Sequence, residues 1–565
     1  MKWLGYFMCL VSAGGGITPA FASVTDQKPL SDEPGDSRNP FTHKFKAYAS
    51  DTLEKWHLPG MAIAVIDGNE TFYQGLGLSN LKSQTPVTES TLFMTGSTTK
   101  AFTDAVLGIL IASGNYSSFE KDNKPLSWTT PLSAILPEDF VMSSDWATRH
   151  LTLDDAVSHR TGLPRHDKAS GRFYPTSSDY PSSSSSPQKW HTATPRDVVR
   201  SLRYLPLTYE PRTKWQYCNL MYVALTHVVQ TITNQKMGSL LRDLIWGPLG
   251  MDSTYYGIEE VTGDKKLATG YYWDETSQKH GVLPIVEQPE IAGAGLVISS
   301  VADYSRWIRS LVEMSGPLGT EVHREVRRVR MVEGDSKETE GPFDGPTAYA
   351  AGWTVGSYRG KRFFTHGGMM EAFGTTVVWF PEERYGVVSM GNTAVEGCAV
   401  GEVLVWGLVD ERFGVGRGER FDWGGKWSKV KQIIADKIDN AVEVLFPDHP
   451  EKPLPPSRPL DHYTGTYFHP AYLNMTIELG TDKDTLRADR TAFTWQTISD
   501  FKHVSGEWWV MYSTLSHANG SRVLVDIAKV EFKVGVSDKV SSVGVEWRET
   551  IGDEIEGLIW YERVD

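Results

Sequence analysis

Cysteine is scarce in this sequence, which contains three cysteines in 565 residues. Cys9 lies in the N-terminal segment, so only Cys218 and Cys398 remain in the body of the chain. Two cysteines cannot build the disulfide framework that stabilises small secreted domains. A chain of this length can bury a large apolar core without disulfides. It also exceeds what one core usually spans, so we expect at least two domains.

The sequence also has fewer basic than acidic residues and few long hydrophobic runs. The chain has 56 lysines and arginines against 70 aspartates and glutamates, which gives a formal net charge of −14. An acidic protein repels phosphate backbones, so we expect no nucleic-acid partner. Beyond the N-terminus, no segment reaches the roughly 18 consecutive apolar residues that indicate a membrane helix, so no membrane span is predicted.

The N-terminus, MKWLGYFMCLVSAGGGITPAFAS, combines one lysine, a short apolar run and an A-x-A cleavage pattern that ends at Ala22. It predicts a secretory signal peptide over residues 1–22 and hence a secreted, extracellular protein. The alternative is a membrane anchor, but the run is short and rich in glycine. The polar residues 23–40 predict a disordered leader. Secretion through an endoplasmic reticulum would permit N-glycosylation at four sequons, Asn69, Asn115, Asn474 and Asn519.

Residues 41–445 mix strand-like and helix-like segments. MAIAVIDGNETFYQGLG predicts a hairpin around Asp67-Gly68, and the apolar segment after Ser97 predicts a helix that ends near Gly114. Helices that flank strands indicate an α/β or α+β domain.

The pattern changes twice further along the chain. Residues 166–194 include PTSSDYPSSSSSPQ, and this much serine and proline predicts a surface loop without regular structure. Residues 446–460, FPDHPEKPLPPSRPL, predict a proline-rich linker. Residues 461–565 alternate apolar and polar positions between tight turns, which predicts an all-β domain, a small barrel or sandwich.

One Ser-x-x-Lys motif has the context that nucleophilic catalysis needs. Residues i and i+3 of a helix share a face, and only the pair Ser97 and Lys100 begins a strongly apolar helix. There the serine lies near the free N–H groups at the positive end of the helix, which suit an oxyanion. Burial would lower the pKa of Lys100 toward that of a useful base. The alternative is a serine helix cap with a solvated lysine. The other occurrences are Ser79 with Lys82, Ser186 with Lys189 and Ser428 with Lys431.

Two further motifs carry candidate site residues. Tyr217 and Asn219 stand directly before another apolar helix, and a tyrosine near a lysine can pass protons because a cation favours phenolate. Asn219 can hold a substrate amide or the lysine, or it can simply cap the helix. His366, Gly367 and Gly368 lie in a strand-rich segment, where paired glycines leave room for a ligand against the backbone. The alternative there is a bulge with a structural histidine.

These motifs occur in the order found in the penicillin-recognising serine hydrolases. Residues 42–410 resemble the branch of class C β-lactamases, D-Ala-D-Ala carboxypeptidases, D-aminopeptidases and esterases. The resemblance implies a β-lactamase/transpeptidase-like domain with an antiparallel sheet flanked by helices. LDHYTGTYFHP is similar to the start of the lipocalin-like β domain that follows some of these catalytic domains. The matching segments of the first domain are LPGMAIAVIDG, TLFMTGSTTKAFT, LTLDDAVSHRTGLPRHD, EPRTKWQYCNLMYVAL, GPLGMDSTYYG and AGAGLVISSVADYSRW.

The resemblance implies a catalytic role for each matched residue. Ser97 would be the acyl-accepting nucleophile, and Lys100 would take its proton. Tyr217 would carry protons to the leaving group and activate the water. The backbone N–H groups of Ser97 and Met369 would form the oxyanion hole.

Substrate binding would fall to Asn219 and to His366, Gly367 and Gly368. Many relatives have Lys-Thr-Gly at the last motif, where the lysine helps to bind a substrate carboxylate. A histidine with an ordinary pKa of about 6.5 is mostly neutral above pH 7 and would bind a carboxylate less well. We therefore expect penicillins to be poor substrates, and we expect acidification toward pH 5.5 to charge His366.

The resemblance implies no cofactor and no metal. His159, His166 and Asp167 are conceivable ligands, but their spacing matches no recognised metal site, so a structural loop is expected. The sequence predicts a secreted serine hydrolase that forms an acyl-enzyme with an ester, an amide or a D-amino-acid peptide. Two alternatives stay open, an acyltransferase or transesterase of small-molecule metabolism and a non-catalytic extracellular protein of the same fold. The oligomeric state stays open as well.

Overall fold

Two bodies of structure follow one another along the chain, a sheet flanked by helices and a closed β-barrel. The predicted signal peptide and nearly all of the predicted leader lie outside the described residues. The computed structural model describes residues 38–565 except 118–123, 177–188, 264–265, 335–340, 482–483, 519–520, 522, 537–538 and 548–556.

The first body is built around a large antiparallel sheet. The described strands of this first body are β1 (Gly60–Asp67), β2 (Glu70–Asn80), β3 (Thr85–Pro86), β4 (Phe93–Met94), β5 (Phe173–Pro175), β6 (Trp190–Thr192), β7 (Tyr255–Tyr256), β8 (Gly270–Asp274), β9 (Lys279–Leu283), β10 (Val297–Ser299), β11 (Met331–Val332), β12 (Ala348–Tyr349), β13 (Thr354–Tyr358), β14 (Lys361–Met370), β15 (Phe373–Phe380) and β16 (Tyr385–Gly391). Nine of them form the sheet in the order β11-β12-β13-β14-β15-β16-β1-β2-β3. The predicted hairpin at Asp67-Gly68 is the connection between β1 and β2.

Helices cover both faces of this sheet. The described helices are α1 (His43–Lys55), α2 (Thr99–Ser113), α3 (Asp145–His150), α4 (Leu153–Val157), α5 (Pro195–Ser201), α6 (Asn219–Thr233), α7 (Met237–Leu241), α8 (Gly247–Leu249), α9 (Ala292–Gly295), α10 (Val301–Glu313), α11 (Thr320–Arg327), α12 (Val395–Arg412), α13 (Trp423–Asp439) and α14 (Ala441–Leu445). Among these described helices, none has both the length and the apolar character that a membrane crossing requires.

The central strand β1 is apolar at nearly every position because both of its faces are buried. Ala62, Ala64 and Ile66 pack into the core that contains α10, while the alternate residues Met61 and Ile63 pack into the core that contains α12. Successive side chains of a strand point to opposite faces, so a strand covered on both faces needs apolar residues at every position. The predicted α/β architecture with an antiparallel sheet flanked by helices is confirmed.

Helix α2 runs through the core and carries the Ser-x-x-Lys motif at its start. A 3-10 turn over Gly96–Thr98 leads into it, and most of the helix is buried, as its all-round apolar sequence indicates. Gly114 follows with a φ of 66°, the left-handed conformation that ends many helices at a glycine. The predicted end of this helix is therefore confirmed.

The C-terminal region is a closed eight-stranded antiparallel barrel, in which β24 pairs with β17. Tyr463, Tyr467 and Trp509 are fully buried in it, and a barrel of eight strands is just wide enough for side chains to fill. The predicted all-β domain is confirmed. Its strands are β17 (Gly465–His469), β18 (Leu473–Leu479), β19 (Leu486–Arg490), β20 (Thr497–Ser505), β21 (Trp508–Leu515), β22 (Asp526–Val534), β23 (Val540–Glu546) and β24 (Ile559–Arg563).

The segment before the barrel, with the helix that precedes it, packs on the barrel. Residues 446–460 are mostly exposed and form no helix or strand, apart from the first residue of a 3-10 turn. Helix α14, just before them, packs Ala441 and Leu445 against Val510 and Ile527 of the barrel. The helix that ends the first region in sequence therefore belongs, by its packing, to the surface of the second.

The prediction of an irregular surface loop over residues 166–194 is wrong at both ends. A 3-10 turn spans Asp167–Ala169, and β5 pairs with β6. His166 and Asp167 are buried because the barrel covers this segment, a tertiary contact that local composition does not reveal. The serine-rich residues 177–188 lie outside the described residues.

Candidate active site

The Ser97 hydroxyl and the Lys100 amine face each other at the start of α2. Lys100 Nζ lies 3.1 Å from Ser97 Oγ, and the lysine side chain is completely buried. The three-residue spacing across the junction of the 3-10 turn and the helix brings the two groups to the same side. Of the other three motifs, Ser79 bonds to a carbonyl oxygen within its hairpin, Ser428 bonds to the backbone of its own helix, and Ser186 lies outside the described residues.

The remaining contacts of Lys100 leave its lone pair for the serine. Nζ lies 2.7 Å from Asn219 Oδ1 and 2.8 Å from the carbonyl oxygen of Ala294, and both atoms can only accept. A neutral amine has two hydrogens, which these acceptors take, so its lone pair points to Ser97 Oγ. Burial lowers the pKa of Lys100 well below its usual value, and the nearby Arg165 cation lowers it further. The amine can therefore receive the hydroxyl proton.

Asn219 is oriented by Asp167, which contacts the end of its amide that faces away from Lys100. Its Nδ2 lies 3.0 and 3.1 Å from the two carboxylate oxygens of Asp167. Asp167 also accepts hydrogen bonds from Arg165 Nε and Nη2, at 2.9 and 2.8 Å. Because the carboxylate accepts from the amide nitrogen, the amide oxygen must face Lys100.

Tyr217 covers the lysine as a neutral phenol. Its ring centroid lies 4.8 Å from Lys100 Nζ and 5.1 Å from Arg165 Cζ. Burial raises the tyrosine pKa above its usual range, and the opposing effects of Arg165 and of the Ser97 side chain are smaller. The expectation that a nearby cation favours phenolate is therefore wrong for the resting site. No described residue forms a hydrogen bond of good geometry with the Tyr217 hydroxyl, which leaves it available to a reacting group.

A buried acid one turn further along α2 adds to the electrostatics. The Tyr222 hydroxyl lies 2.8 Å from both Asp104 Oδ2 and the carbonyl oxygen of Val157, but it has one hydrogen to donate. A protonated Asp104 satisfies both contacts, because it donates to Tyr222 while Tyr222 donates to Val157. Burial raises the pKa of Asp104 to about 8, which agrees with this arrangement. The geometry thus favours a neutral acid beside a neutral Lys100 amine.

His366 lies on β14, where its side chain is buried and neutral. Its Nδ1 lies 2.6 Å from the carbonyl oxygen of Gly367 and must donate, so Nε2 accepts from the Tyr349 hydroxyl at 2.8 Å. Burial lowers the pKa of His366 to about 3, and a proton on Lys100 would lower it further. The expectation that pH 5.5 charges this residue is therefore wrong. The unperturbed pKa did not include the desolvation that the fold imposes.

Glycines let strand β14 lie directly against the serine turn. A Cβ atom on Gly368 would lie 2.0 Å from the carbonyl oxygen of Thr95 and 3.3 Å from the backbone nitrogen of Ser97. A Cβ atom on Gly96 would lie 2.5 Å from the backbone nitrogen of Met369. The two backbone N–H groups expected to form the oxyanion hole, those of Ser97 and Met369, thus lie on two segments in contact.

An apolar cleft opens beside Met370, the residue after Met369. Its volume is about 250 Å³, including space open to solvent. A Cβ atom on Gly295 would touch both the Met370 sulfur, at 3.3 Å, and the Gly96 carbonyl carbon, at 3.8 Å, so the cleft borders the serine turn. Burial raises the pKa of Glu371 at this cleft to about 7. The lining residues are Met94, Pro284, Ile285, Val286, Gln288, Met370, Glu371, Ala372 and Phe373.

The residues weighed as metal ligands have other contacts. His159 Nδ1 accepts the backbone N–H of Cys218 at 3.1 Å, and its ring packs on Tyr217. His166 contacts Tyr472 of the barrel, and Asp167 binds Asn219. Over the described residues, no group of three or more acidic, histidine or cysteine side chains is arranged to hold a metal ion.

Three contributors to this site were not predicted from the sequence. They are the Ala294 carbonyl, the acid Asp104, and Asp167, for which the sequence suggested only a conceivable role as a metal ligand. The segment AGAG over α9 is the signal for Ala294, since its small residues let the α9 backbone approach α2 and α6. Asp104 in an otherwise apolar helix was a visible exception to the pattern.

Comparisons with known proteins bear on the family of the chain. The Beta-lactamase family model matches residues 45–402, and a Domain of unknown function (DUF3471) matches residues 449–557. The chain is 35% identical over 533 residues to "Unguisins hydrolase ungD'" of Aspergillus campestris, covering 94% of this chain and 93% of that protein. It is 32% identical over 553 residues to "Unguisins hydrolase ungD" of Aspergillus violaceofuscus, covering 94% and 92%.

A solved structure shares the fold over most of the chain. It is the octameric penicillin-binding protein homologue from Pyrococcus abyssi, with a TM-score of 0.54, 17% identity and coverage of 92% of this chain and 99% of that chain. Identity this low shows the fold alone. The Beta-lactamase model, however, matches more than half of the chain, and both Aspergillus relatives exceed 30% identity over nearly all of it. The chain therefore belongs to the Beta-lactamase family, and it is a serine hydrolase of that family.

Proposed function

We propose that this serine hydrolase forms an acyl-enzyme on Ser97, with Lys100 as the general base. One observation carries the proposal: Lys100 Nζ lies 3.1 Å from Ser97 Oγ, and its other two contacts, Asn219 Oδ1 and the Ala294 carbonyl oxygen, are acceptors for the two hydrogens of a neutral amine. A base within hydrogen-bond distance of a serine hydroxyl is the geometry that nucleophilic catalysis requires.

In the acylation step, Ser97 Oγ attacks the substrate carbonyl carbon while its proton passes to Lys100 Nζ. The oxygen of the tetrahedral intermediate carries the negative charge, and the backbone N–H groups of Ser97 and Met369 stabilise it. The neutral phenol of Tyr217 donates its proton to the leaving group and regains one from the Lys100 ammonium. The bond between carbonyl carbon and leaving group breaks, which leaves the acyl group on Ser97.

Water completes the cycle in the proposed hydrolysis. It attacks the acyl carbon and gives a proton to the Tyr217 and Lys100 pair. The bond between the acyl carbon and Ser97 Oγ then breaks, and the pair returns that proton to Ser97 Oγ. The products are a carboxylic acid and the restored serine. In the alternative function, acyl transfer, an alcohol or amine would replace the water in this step.

The substrate we propose is an amide or ester of a peptide-like compound with apolar groups. Residues 366–370 of β14 extend beyond the pairing with β13, which ends at Thr365, so their outer edge can accept an extended backbone. The cleft beside Met370 is lined mostly by apolar side chains. The buried neutral His366 supplies no cation for a carboxylate, so penicillins should be poor substrates. D-amino-acid peptides belong to this class of peptide-like amides and esters.

We also propose that the protein is secreted and glycosylated. The support is the signal-like segment over residues 1–22 and the position of the sequons. Asn69 and Asn115 are exposed near the ends of strands or helices. Asn474 is half-buried within β18, which is less accessible to a glycan, and Asn519 lies outside the described residues.

The test is product analysis in water labelled with oxygen-18. Unguisins, the compounds in the names of the two Aspergillus relatives, are the first substrates to try, beside a peptide amide, a matched ester and a D-amino-acid peptide. Hydrolysis through an acyl-enzyme should place one labelled oxygen in the acid product, and Ser97→Ala should abolish the reaction. Turnover that appears only with an added alcohol or amine would identify a transferase instead.

A further inference from the structure

The barrel reaches the active site through Tyr472, in the turn between β17 and β18. The Tyr472 hydroxyl lies 2.8 Å from Nδ1 of His166. Nε2 of the same ring lies 3.1 Å from the carbonyl oxygen of Pro206, which can only accept, so Nε2 carries the proton and Nδ1 accepts from Tyr472. Burial lowers the pKa of His166 to about 4, which keeps the ring neutral. The anchored ring holds His166 at a φ of 47°, a left-handed conformation that residues other than glycine adopt uncommonly.

The barrel also holds the residue on the other side of Asp167. Arg490 Nη2 donates to the carbonyl oxygen of Lys168 at 2.9 Å. The Lys168 ammonium forms an ion pair with Asp526 at 2.8 Å, in which both side chains are largely buried. Asp167 therefore lies between two residues that the barrel anchors.

Asp167 is the residue that decides which end of the Asn219 amide faces Lys100. It accepts from Asn219 Nδ2, which turns Oδ1 toward the lysine at 2.7 Å. If the amide turned over, its NH₂ group would face the N–H groups of Lys100, and the lysine lone pair would lose its direction toward the serine. A substitution in the barrel that shifts this loop would therefore alter the base, although no residue of the first body is substituted.

We propose that Tyr472 of the C-terminal barrel is a positioning residue for the acylation of Ser97, acting through the Asp167 loop and Asn219 on Lys100. The inference rests on the proposed function, because it assigns Lys100 the role of base. It makes the barrel part of the catalytic unit. The family-model matches treat the two regions separately, whereas the hydrogen bonds join them.

The test compares two tyrosine hydroxyls of the same barrel in the full-length protein. Tyr472→Phe removes the contact with His166 and retains the ring, which stacks on Trp547. Tyr467→Phe is the matched control, since its buried hydroxyl donates to the carbonyl oxygen of Tyr463 within the barrel. The readout is the second-order rate constant for covalent labelling by a fluorophosphonate. Tyr472→Phe should slow labelling roughly three- to tenfold, the worth of one hydrogen bond, and Tyr467→Phe should leave it within about twofold of wild type.

A double-mutant cycle with Asn219→Ala separates positioning from general weakening of the fold. If Tyr472 acts through Asn219, Tyr472→Phe should have less than about a 1.5-fold effect on labelling once Asn219 is alanine. A full effect in that background would overturn the proposed route. Asp526→Asn is the second variant, because it removes the charge that holds the Lys168 ammonium and keeps the side-chain shape. Like Tyr472→Phe, Asp526→Asn should slow the labelling of Ser97.

The outcomes divide cleanly between the two proposals. Labelling of wild type at Ser97 with equal rates for Tyr472→Phe, Asp526→Asn and wild type would overturn the positioning role alone. Equal slowing by Tyr467→Phe would also overturn it, since any lost barrel hydroxyl would then suffice. No labelling of the wild type at Ser97 would overturn the proposed function itself.

Discussion

Asp104 offers a quantitative test of the electrostatics around Lys100. Its carboxyl group is fully buried, and burial raises its pKa from 3.8 to about 8. Between pH 5 and pH 7 the folded state therefore holds a proton on Asp104 that the unfolded state has released. The folded state binds more protons, so this group makes the protein less stable as the pH rises, until the folded carboxyl also ionises near pH 8.

Asp104→Asn should remove this pH dependence and retain the hydrogen bonds. The asparagine amide can donate to Tyr222, as the protonated acid does, and Tyr222 can still donate to Val157. One proton of difference corresponds to about 1.4 kcal/mol per pH unit at 25 °C. The free energy of unfolding of the variant, relative to wild type, should therefore increase by about 3 kcal/mol between pH 5 and pH 7.

The assay is urea unfolding of both proteins at pH 5, 6 and 7, followed by tryptophan fluorescence, for which the chain has 19 tryptophans. Lys100 contributes a pH dependence of the opposite sign, but it is present in both proteins and largely cancels in the difference. Equal dependence on urea concentration in the two proteins would show that the same transition is compared. A difference that stays constant from pH 5 to pH 7 would refute the reasoning, because it would mean that Asp104 is ionised in the folded state.

Three further predictions concern the reaction. Tyr217→Phe should slow turnover roughly 100- to 10,000-fold in steady-state assays, whereas a rate within twofold of wild type would show that the tyrosine only packs. Gly368→Ala should slow Ser97 labelling and lower the free energy of unfolding by about 1–3 kcal/mol, because its methyl group meets the Thr95 carbonyl; Gly407→Ala, with open space around it, is the control. In Glu371→Gln, which removes the cleft carboxyl whose pKa is about 7, the preference between a substrate with a free carboxylate and its methyl ester, measured as a ratio of kcat/KM, should show no transition between pH 5.5 and 8, because the His366 pKa is about 3. A transition near pH 6.5 would show that His366 is charged there.

The local part of the site could be predicted from the sequence. Ser97 and Lys100 are three residues apart at the start of an apolar helix, so helix geometry alone brings them together. Tyr217 and Asn219 could be assigned from the motif order, because the fold that the order implies brings them to the same helix start. The structure places Asn219 at the first turn of α6 and in contact with Lys100.

The parts that could not be predicted depend on contacts between distant segments. His166 and Tyr472 are 306 residues apart in sequence, and no local sequence pattern predicts their hydrogen bond. The protonation states of His366 and Tyr217 also differ from those that the sequence predicts, for a related reason. A sequence lists charged neighbours but does not show how completely the folded chain excludes water, and at both residues desolvation is the largest effect on the pKa.

The most direct test of the central claim is mass spectrometry after incubation with a fluorophosphonate. The account predicts one adduct per chain, on the peptide that contains Ser97. The adduct should be absent in Ser97→Ala, and it should form far more slowly in Lys100→Ala, which keeps the serine but removes the base 3.1 Å from its oxygen. An adduct on another residue, or labelling of Lys100→Ala at the wild-type rate, would contradict the assignment of Ser97 as nucleophile and Lys100 as its base.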